Sequence, residues 1–403
     1  MVRACRMMLG PSQRRVLVVL VAVLLCAHAV RGFVTTAGQH FVNERCEEYF
    51  VAGWNEWKVM ETASSDPGAL RTKLQRASRA GFNVLRFFAH GSDDDFVLQA
   101  RPGEYNEAAW VGIDRALFEL SQLQMKAILS FSNMWKAPDG KKTFVSWRSS
   151  EQGVICDIDA CRGGDDDQEF ECLAANCPSE DEFFKRESIV ELYKAHINAT
   201  LHRINSLTGV AYKDDPTIFA WDVMNEPNAV VCRRGLRPAR ACVSLVDDWI
   251  ARISAYIKSI DSRHMVTTGV EGYYGPEETP ARRAANPQPT DSGPFSPLDW
   301  PTKAGQSFLL NHRHPTIDFA VFHAWPDNWR SATLEFQDRW LAQHLRDSAA
   351  LGKPVIVEEF GKVADRNKAG DIAATRDPFF AQVYNATNES IASGGALKAS
   401  SAA

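Results

Sequence analysis

Two segments of the chain end in carboxylates placed where they can work as a pair. The strand-like run Ala220-Trp221-Asp222-Val223-Met224 delivers Asn225 and Glu226 to Pro227, and Pro354-Val355-Ile356-Val357 delivers Glu358 and Glu359 to Phe360-Gly361. Cleavage of a glycosidic bond needs two such groups. One stays protonated and donates to the leaving oxygen, while the other is ionised and attacks the sugar or activates water. Reaction with retention requires the two carboxyls roughly 5 to 5.5 Å apart, a spacing that strand tips facing across a barrel mouth can reach. Proximity to an ionised partner is expected to keep Glu226 protonated. Strand alternation sends Glu358 and Glu359 to opposite sides, so only one of them should enter the site. The competing reading of both glutamates is an ion pair that covers a strand end.

Carboxylates at strand ends require strands that end together. Short apolar runs alternate with helical patterns through most of the chain, which predicts an α/β architecture with a parallel sheet. The strands expected are one ending near Gly53, then 83–88, 126–131, 218–224, 265–270, 317–322 and 354–357; the helices are 67–80, 106–124, 187–207, 244–260 and 334–351. This rhythm predicts a (β/α)8 TIM barrel, whose sites are assembled at the C-terminal rim of the strands. Arg86, Asn133, Trp135, Glu271 and His323 fall at that rim with the two glutamates. A doubly wound open sheet fits less well, because no Gly-rich phosphate turn follows the first strand. Trp57, Trp135, Trp147 and Trp329 are candidate sugar platforms, since an aromatic ring can cover the apolar face of a pyranose.

Composition narrows the class. The 403 residues are 45% hydrophobic and 24% charged, with a formal net charge of -5 and the two signs interspersed. That balance gives no footprint for nucleic acid or an anionic membrane. Residues 1–29 read as a secretory signal peptide: Arg14-Arg15, an apolar run from Val16 to Ala27, and the small-x-small site Ala27-His28-Ala29. The run is too short for a membrane anchor, which needs roughly 20 residues. Residues 30–403 then form the catalytic domain, with a Cys-rich insert at about 151–180. Cys156, Cys161, Cys172 and Cys177 are expected to make two disulfides within it, in one of three connectivities, and Cys232 pairs with Cys242. The C-x4-C spacings argue against a zinc ribbon. Asn198, Asn385 and Asn388 head glycosylation sequons. Asp93-Asp94-Asp95 and Asp165-Asp166-Asp167 lack the ligand spacing of a calcium loop and read as solvated turns.

Several stretches together resemble glycoside hydrolase family 5, and more narrowly its endo-β-1,4-mannanases. They are Gly81-Phe82-Asn83-Val84-Leu85-Arg86, Pro102-Gly103-Glu104-Tyr105, Leu129-Ser130-Phe131-Ser132-Asn133-Met134-Trp135, Asp214-Asp215-Pro216-Thr217-Ile218, Asn225-Glu226-Pro227, Glu271-Gly272-Tyr273-Tyr274-Gly275, and Ile317-Asp318-Phe319-Ala320 leading to His323. The resemblance implies a secreted, monomeric, retaining hydrolase of mannan, glucomannan or galactomannan that needs no cofactor or metal. It implies Glu226 as general acid and base and Glu359, in Glu-Phe-Gly, as nucleophile. Arg86, Asn225, His323, Trp325, Trp135 and Trp57 would bind substrate or hold the glutamates. Another β-glycanase or transglycosylase on the same barrel, or a catalytically impaired carbohydrate-binding relative, are the alternatives.

The chain departs from the family pattern twice. Where the family carries His-x-Tyr, this chain has His323-Ala324-Trp325, and an indole N–H donates but cannot accept. After Gly394-Gly395 it reads Ala-Leu-Lys-Ala-Ser-Ser-Ala-Ala, without the apolar strand or the Trp that the resemblance leads one to expect. The eighth strand is therefore expected to be missing or incomplete, leaving open edges.

Overall fold

The computed structural model describes residues 32–402 apart from 92–95, 136–139, 162–171, 173–174, 230–231, 233–237, 289–298 and 364–371. The expected signal peptide and both acidic triplets lie outside the described residues. Eight parallel strands form one sheet: β1 Val51–Asn55, β2 Val84–Phe88, β3 Lys126–Ser130, β4 Ile218–Asp222, β5 Met265–Thr267, β6 Ala320–Ala324, β7 Val355–Phe360 and β8 Leu397–Ala402. Their order around the sheet is β6-β7-β8-β1-β2-β3-β4-β5. The seam between β5 and β6 is joined by Asp318 N–H to the Val266 carbonyl (2.8 Å), and by Val266 N–H to Asp318 Oδ2 (2.7 Å). Farther up, His323 N–H reaches the Glu271 carbonyl at 3.1 Å, so the sheet closes into a barrel.

The eighth strand exists, contrary to the sequence expectation. Leu397–Ala402 pairs in parallel with β7 on one side and β1 on the other. Ladder bonds come from the backbone, so a run of small residues can fill the place when two strand edges already flank it. Buried Ala396 and Leu397 anchor its start in the core beside Val383 and Val355.

Helices wrap the barrel: α1 Pro67–Arg79, α2 Glu107–Gln122, α3 Glu187–His202, α4 Ala239–Ile260, α5 Phe308–His312, α6 Leu334–Leu351 and α7 Ile372–Ala392. The starts of α1, α2 and α6 are set by side-chain caps at Asp66, Asn106 and Thr333, each accepting a hydrogen bond from a first-turn N–H. The sheet's inner floor is Val51, Val84, Ile128, Ala220, Met265 and Ile356, plugged by Phe41 from an N-terminal hairpin, Thr35–Ala37 with His40–Val42. Phe41 meets Phe219 and Phe319 edge-on at 5.2 Å. The N-terminal end is thereby stoppered, and only the C-terminal rim is left for chemistry. Among the described residues no helix is long and apolar enough to cross a membrane. The insert after β3 is stapled by Cys156–Cys177 and Cys161–Cys172, and Cys232 bonds Cys242.

Candidate active site

Glu226 and Glu359 face one another at the C-terminal mouth. With His323 they present ligand-type atoms that all lie within 4.8 Å of one another. The backbone makes this possible at two irregular places. Glu226 follows β4 with φ 53, in the left-handed region that side chains rarely adopt. Its N–H is pinned to the Gly269 carbonyl at 2.8 Å. Gly269 is itself at φ 68, and a Cβ there would lie 2.0 Å from the Met224 carbonyl oxygen. On β7, the pairing steps from Phe322 opposite Val357 to His323 opposite Glu359, so Glu358 is the extra residue of a β-bulge.

The bulge overturns the alternation argument. Glu358 is not turned away: it is fully buried and shares Arg86 and His323 with its neighbour. The bulge breaks the period of two, and consecutive carboxylates enter the same interior. Asn55 holds the bulge by donating to the Glu358 carbonyl at 2.9 Å.

Each glutamate has its own surroundings. Glu359 Oε1 accepts from Arg86 Nη1 at 2.5 Å, and Oε2 accepts from the Trp325 indole at 2.9 Å. Burial works against its charge, but His323, Arg86 and the Trp325 hydrogen bond outweigh burial and hold the carboxyl below its usual range. Glu226 Oε1 lies 2.7 Å from His323 Nδ1, and its Oε2 accepts from the Trp135 indole. Arg86 is buried; it also donates to Asp222 Oδ2, to Asn225 Oδ1 at 2.8 Å and to Asn55 Oδ1 at 3.2 Å. Burial alone would weaken its charge, yet Glu358, Asp222 and Glu359 keep it firmly protonated. Burial pushes Asp222 up to about 6, with Arg86 resisting. Asn225 Nδ2 donates to Asn133 Oδ1 at 3.0 Å, which orients the amide.

Of the residues named from sequence, Glu226, Glu359, Arg86, Asn225, His323, Trp325 and Trp135 come together. Trp57 lies in the turn after β1, 62% exposed. Trp329 is instead buried against Tyr273 and Trp340, and Trp147 packs on Phe144. Asp222, Asn55 and Glu358 were missed as site residues. Asp222 carried a signal, a carboxylate inside an otherwise apolar run, whereas Glu358 was discounted by alternation. The cluster of Glu226, His323 and Glu359 has the donor types of a metal site. Its carboxylates already accept from the Arg86 guanidinium and two indole N–H groups, and a dication would sit beside the Arg86 charge.

The family description "GH family 5 beta-mannosidase-like" matches residues 31–289 and 299–402. Mannan endo-1,4-beta-mannosidase 7 of Arabidopsis thaliana is 34% identical over 373 residues, covering 91% of this chain and 76% of its own. Putative mannan endo-1,4-beta-mannosidase 9 of Oryza sativa subsp. japonica is 35% identical over 358 residues, 86% of this chain and 75% of that one. Among solved structures, the endo-1,4-beta-mannanase from Rhizomucor miehei shares the barrel fold with a TM-score of 0.68 at 24% identity, over 92% of this chain and 90% of that one. The match spans both glutamate-bearing strand ends and nearly all of the barrel, and this chain is a β-mannosidase-like member of glycoside hydrolase family 5.

Proposed function

We propose that this protein is a secreted, monomeric, retaining endo-β-1,4-mannanase that cuts internal bonds of mannan, glucomannan or galactomannan. The observation that carries the reading is the close approach of Glu226 and Glu359 across the mouth, with an oxygen of one within 4.8 Å of an oxygen of the other. That closeness supports the retaining arrangement over the wider spacing with which an inverting pair holds a water between its carboxyls. The names of the Arabidopsis and rice relatives support the mannan substrate. Three disulfides support passage through an oxidising compartment, with residues 1–29 as the signal.

In this reading the Glu359 carboxylate attacks the anomeric carbon while the glycosidic oxygen leaves with a proton from Glu226. Water then gives a proton to Glu226, attacks the same carbon and releases Glu359. Arg86 and Trp325 keep Glu359 ionised and aimed, and Asn225 is held by Arg86 and Asn133 to meet the sugar's 2-hydroxyl. Half-buried Trp135 keeps Glu226 in place through its indole and offers its ring to a sugar face.

The test is to incubate the purified protein with glucomannan and with mannohexaose, following the anomer formed first by proton NMR and the product lengths by chromatography. Mixed oligosaccharides released first in the β-configuration are expected. Release of the α-anomer, of mannose alone from chain ends, or of nothing would sink the proposal.

A further inference from the structure

A third carboxyl is left without a task. Glu358 is fully buried in the bulge of β7. Its Oε2 lies 3.4 Å from His323 Nε2. Its Oε1 is 3.5 Å from Arg86 Nε and has no hydrogen bond among the described residues. A carboxylate this deep and this loosely paired is a poor source of stability. What it controls is the ring of His323.

That ring faces carboxylates through both nitrogens. Nδ1 is 2.7 Å from Glu226 Oε1 and 3.7 Å from Glu359 Oε2. With Glu358 ionised, a lone pair on Nε2 would point at its carboxylate oxygen 3.4 Å away, which favours a hydrogen on Nε2. Nδ1 is then the nitrogen that meets Glu226, and a single proton lies between the two. If Nδ1 bears it, the ring is an imidazolium donating to Glu226; if Glu226 bears it, the carboxyl donates to Nδ1.

Resting on the reading of Glu226 as acid and base, we propose that Glu358 is a positioning residue. It fixes the Nε2–H form of His323 and thereby keeps a transferable proton on the His323–Glu226 bond. The arrangement parallels a carboxylate that orients a catalytic histidine from behind. No atom is gained or lost: the leaving oxygen takes the shared proton, and the attacking water returns one to the same pair. The groups facing His323 are Glu226 from the end of β4 and Glu358 and Glu359 from β7, with Arg86 on β2 and Asp222 on β4 behind them. Burial alone would favour the neutral ring, but these carboxylates raise its value well above the ordinary one.

Glu358→Gln keeps the shape and an acceptor oxygen but removes the charge. Its melting temperature is expected to change little, because Asp222 and Glu359 still pair with Arg86. The basic limb of kcat/KM on mannohexaose is expected to move about one pH unit towards acid, as a nearby charge is lost from the proton-sharing pair. A second readout does not depend on turnover. In protein labelled with 15N-histidine, with His323 assigned through His323→Gln, wild-type Nε2 should keep its hydrogen from about pH 5 to about pH 9, whereas in E358Q the ring should titrate inside that range. Unchanged pH profiles and unchanged His323 signals in E358Q, or a wild-type ring with its lone pair on Nε2, would overturn the proposal. If the wild type hydrolyses no glycan, the functional reading fails while the nitrogen spectra still decide what Glu358 does to His323.

Discussion

Glu226 and Glu359 differ more in their company than in their chemistry, and that difference sets what each replacement should do. In the proposed mechanism Glu359→Ala removes the group that attacks carbon, and it should abolish turnover on every mannoside. Glu226→Ala should lower hydrolysis of mannan by about 10²- to 10⁴-fold, the usual worth of a positioned acid, and should spare formation of the glycosyl-enzyme from dinitrophenyl mannosides. Burst kinetics on activated and unactivated substrates check this; equal losses on both for Glu226→Ala would contradict the roles. Trp325 reaches Glu359 because its ring lies against Gly361, where a Cβ would stand 2.2 Å from ring carbon Cζ3. Gly361→Ala should therefore push the indole away and break a hydrogen bond to a charged group, worth about 1.5 to 3 kcal/mol. That corresponds to roughly a 10- to 150-fold fall in kcat/KM, and a value within twofold of wild type would show that the indole adjusts. The site also sets a pH window for stability. The Glu359 carboxyl is lowered, so its contribution is present above the ordinary value of 4.5 and is lost as pH falls through the lowered one. His323 is raised, so its contribution is present below 6.5 and is lost as pH rises through the raised value. Both act between those limits, and the melting temperature should be flattest there; Glu359→Gln should blunt the acid fall and His323→Gln the alkaline one.

Elements decide which residues the sequence could reveal. Strands were legible because an apolar run that stops at polar residues announces them to within a residue or two: 126–131 was expected where Lys126–Ser130 is found, and 218–224 where Ile218–Asp222 is found. Boundaries were less so: β6 was expected at 317–322 but runs from Ala320 to Ala324, because His323 and Ala324 continue the ladder opposite Glu359 and Phe360. The bulge on β7 has no marker such as glycine, so Glu358 could not be placed by alternation. Helix α7 carries no clear sequence signature, because Pro378 lies inside it and its apolar residues make no strong stripe. Connections were the least legible. Lys141 follows β3, is fully buried, and ties the Cys-rich insert to the loop behind Glu226 by reaching Asp181 at 2.6 Å and the Asn228 carbonyl at 3.0 Å. Lys141→Met should leave Asp181 buried without its cation and destabilise the fold by about 3 to 5 kcal/mol. Urea unfolding measures it, and a loss under about 1 kcal/mol would show that the insert re-solvates Asp181 freely.

At the scale of the molecule, the barrel was predicted by its rhythm of strands and helices, and its closure was not. Closure depends on a partner count that no local pattern encodes: β7 and β1 each have an unpaired edge until another segment lies between them. Leu397–Ala402 does so with register to both, Ala399 opposite Val51 and Ile356, and Ser400 opposite Ala52 and Val357. Its composition looked unfit for a strand because β-propensity reflects side-chain packing, whereas here the two ladders come from the backbone. The consequence reaches the site, since β7 carries both Glu358 and Glu359 and β1 ends in Asn55, which holds the bulge. Removing residues 397–403 should therefore weaken more than stability. Each ladder bond lost is worth about 1 kcal/mol net, so several together take a large share of an ordinary stability of about 5 to 15 kcal/mol. We expect the shortened protein to melt at least about 10 °C lower, given a few degrees per kcal/mol for chains of this general size. Hydrolysis measured well below that melting point should also fall by more than tenfold, because the bulge loses one of its two flanking strands. Equal melting temperatures and rates for the two forms would mean that β7 and β1 hold their positions without the strand between them, and that the barrel's last stave is not what aligns the glutamates.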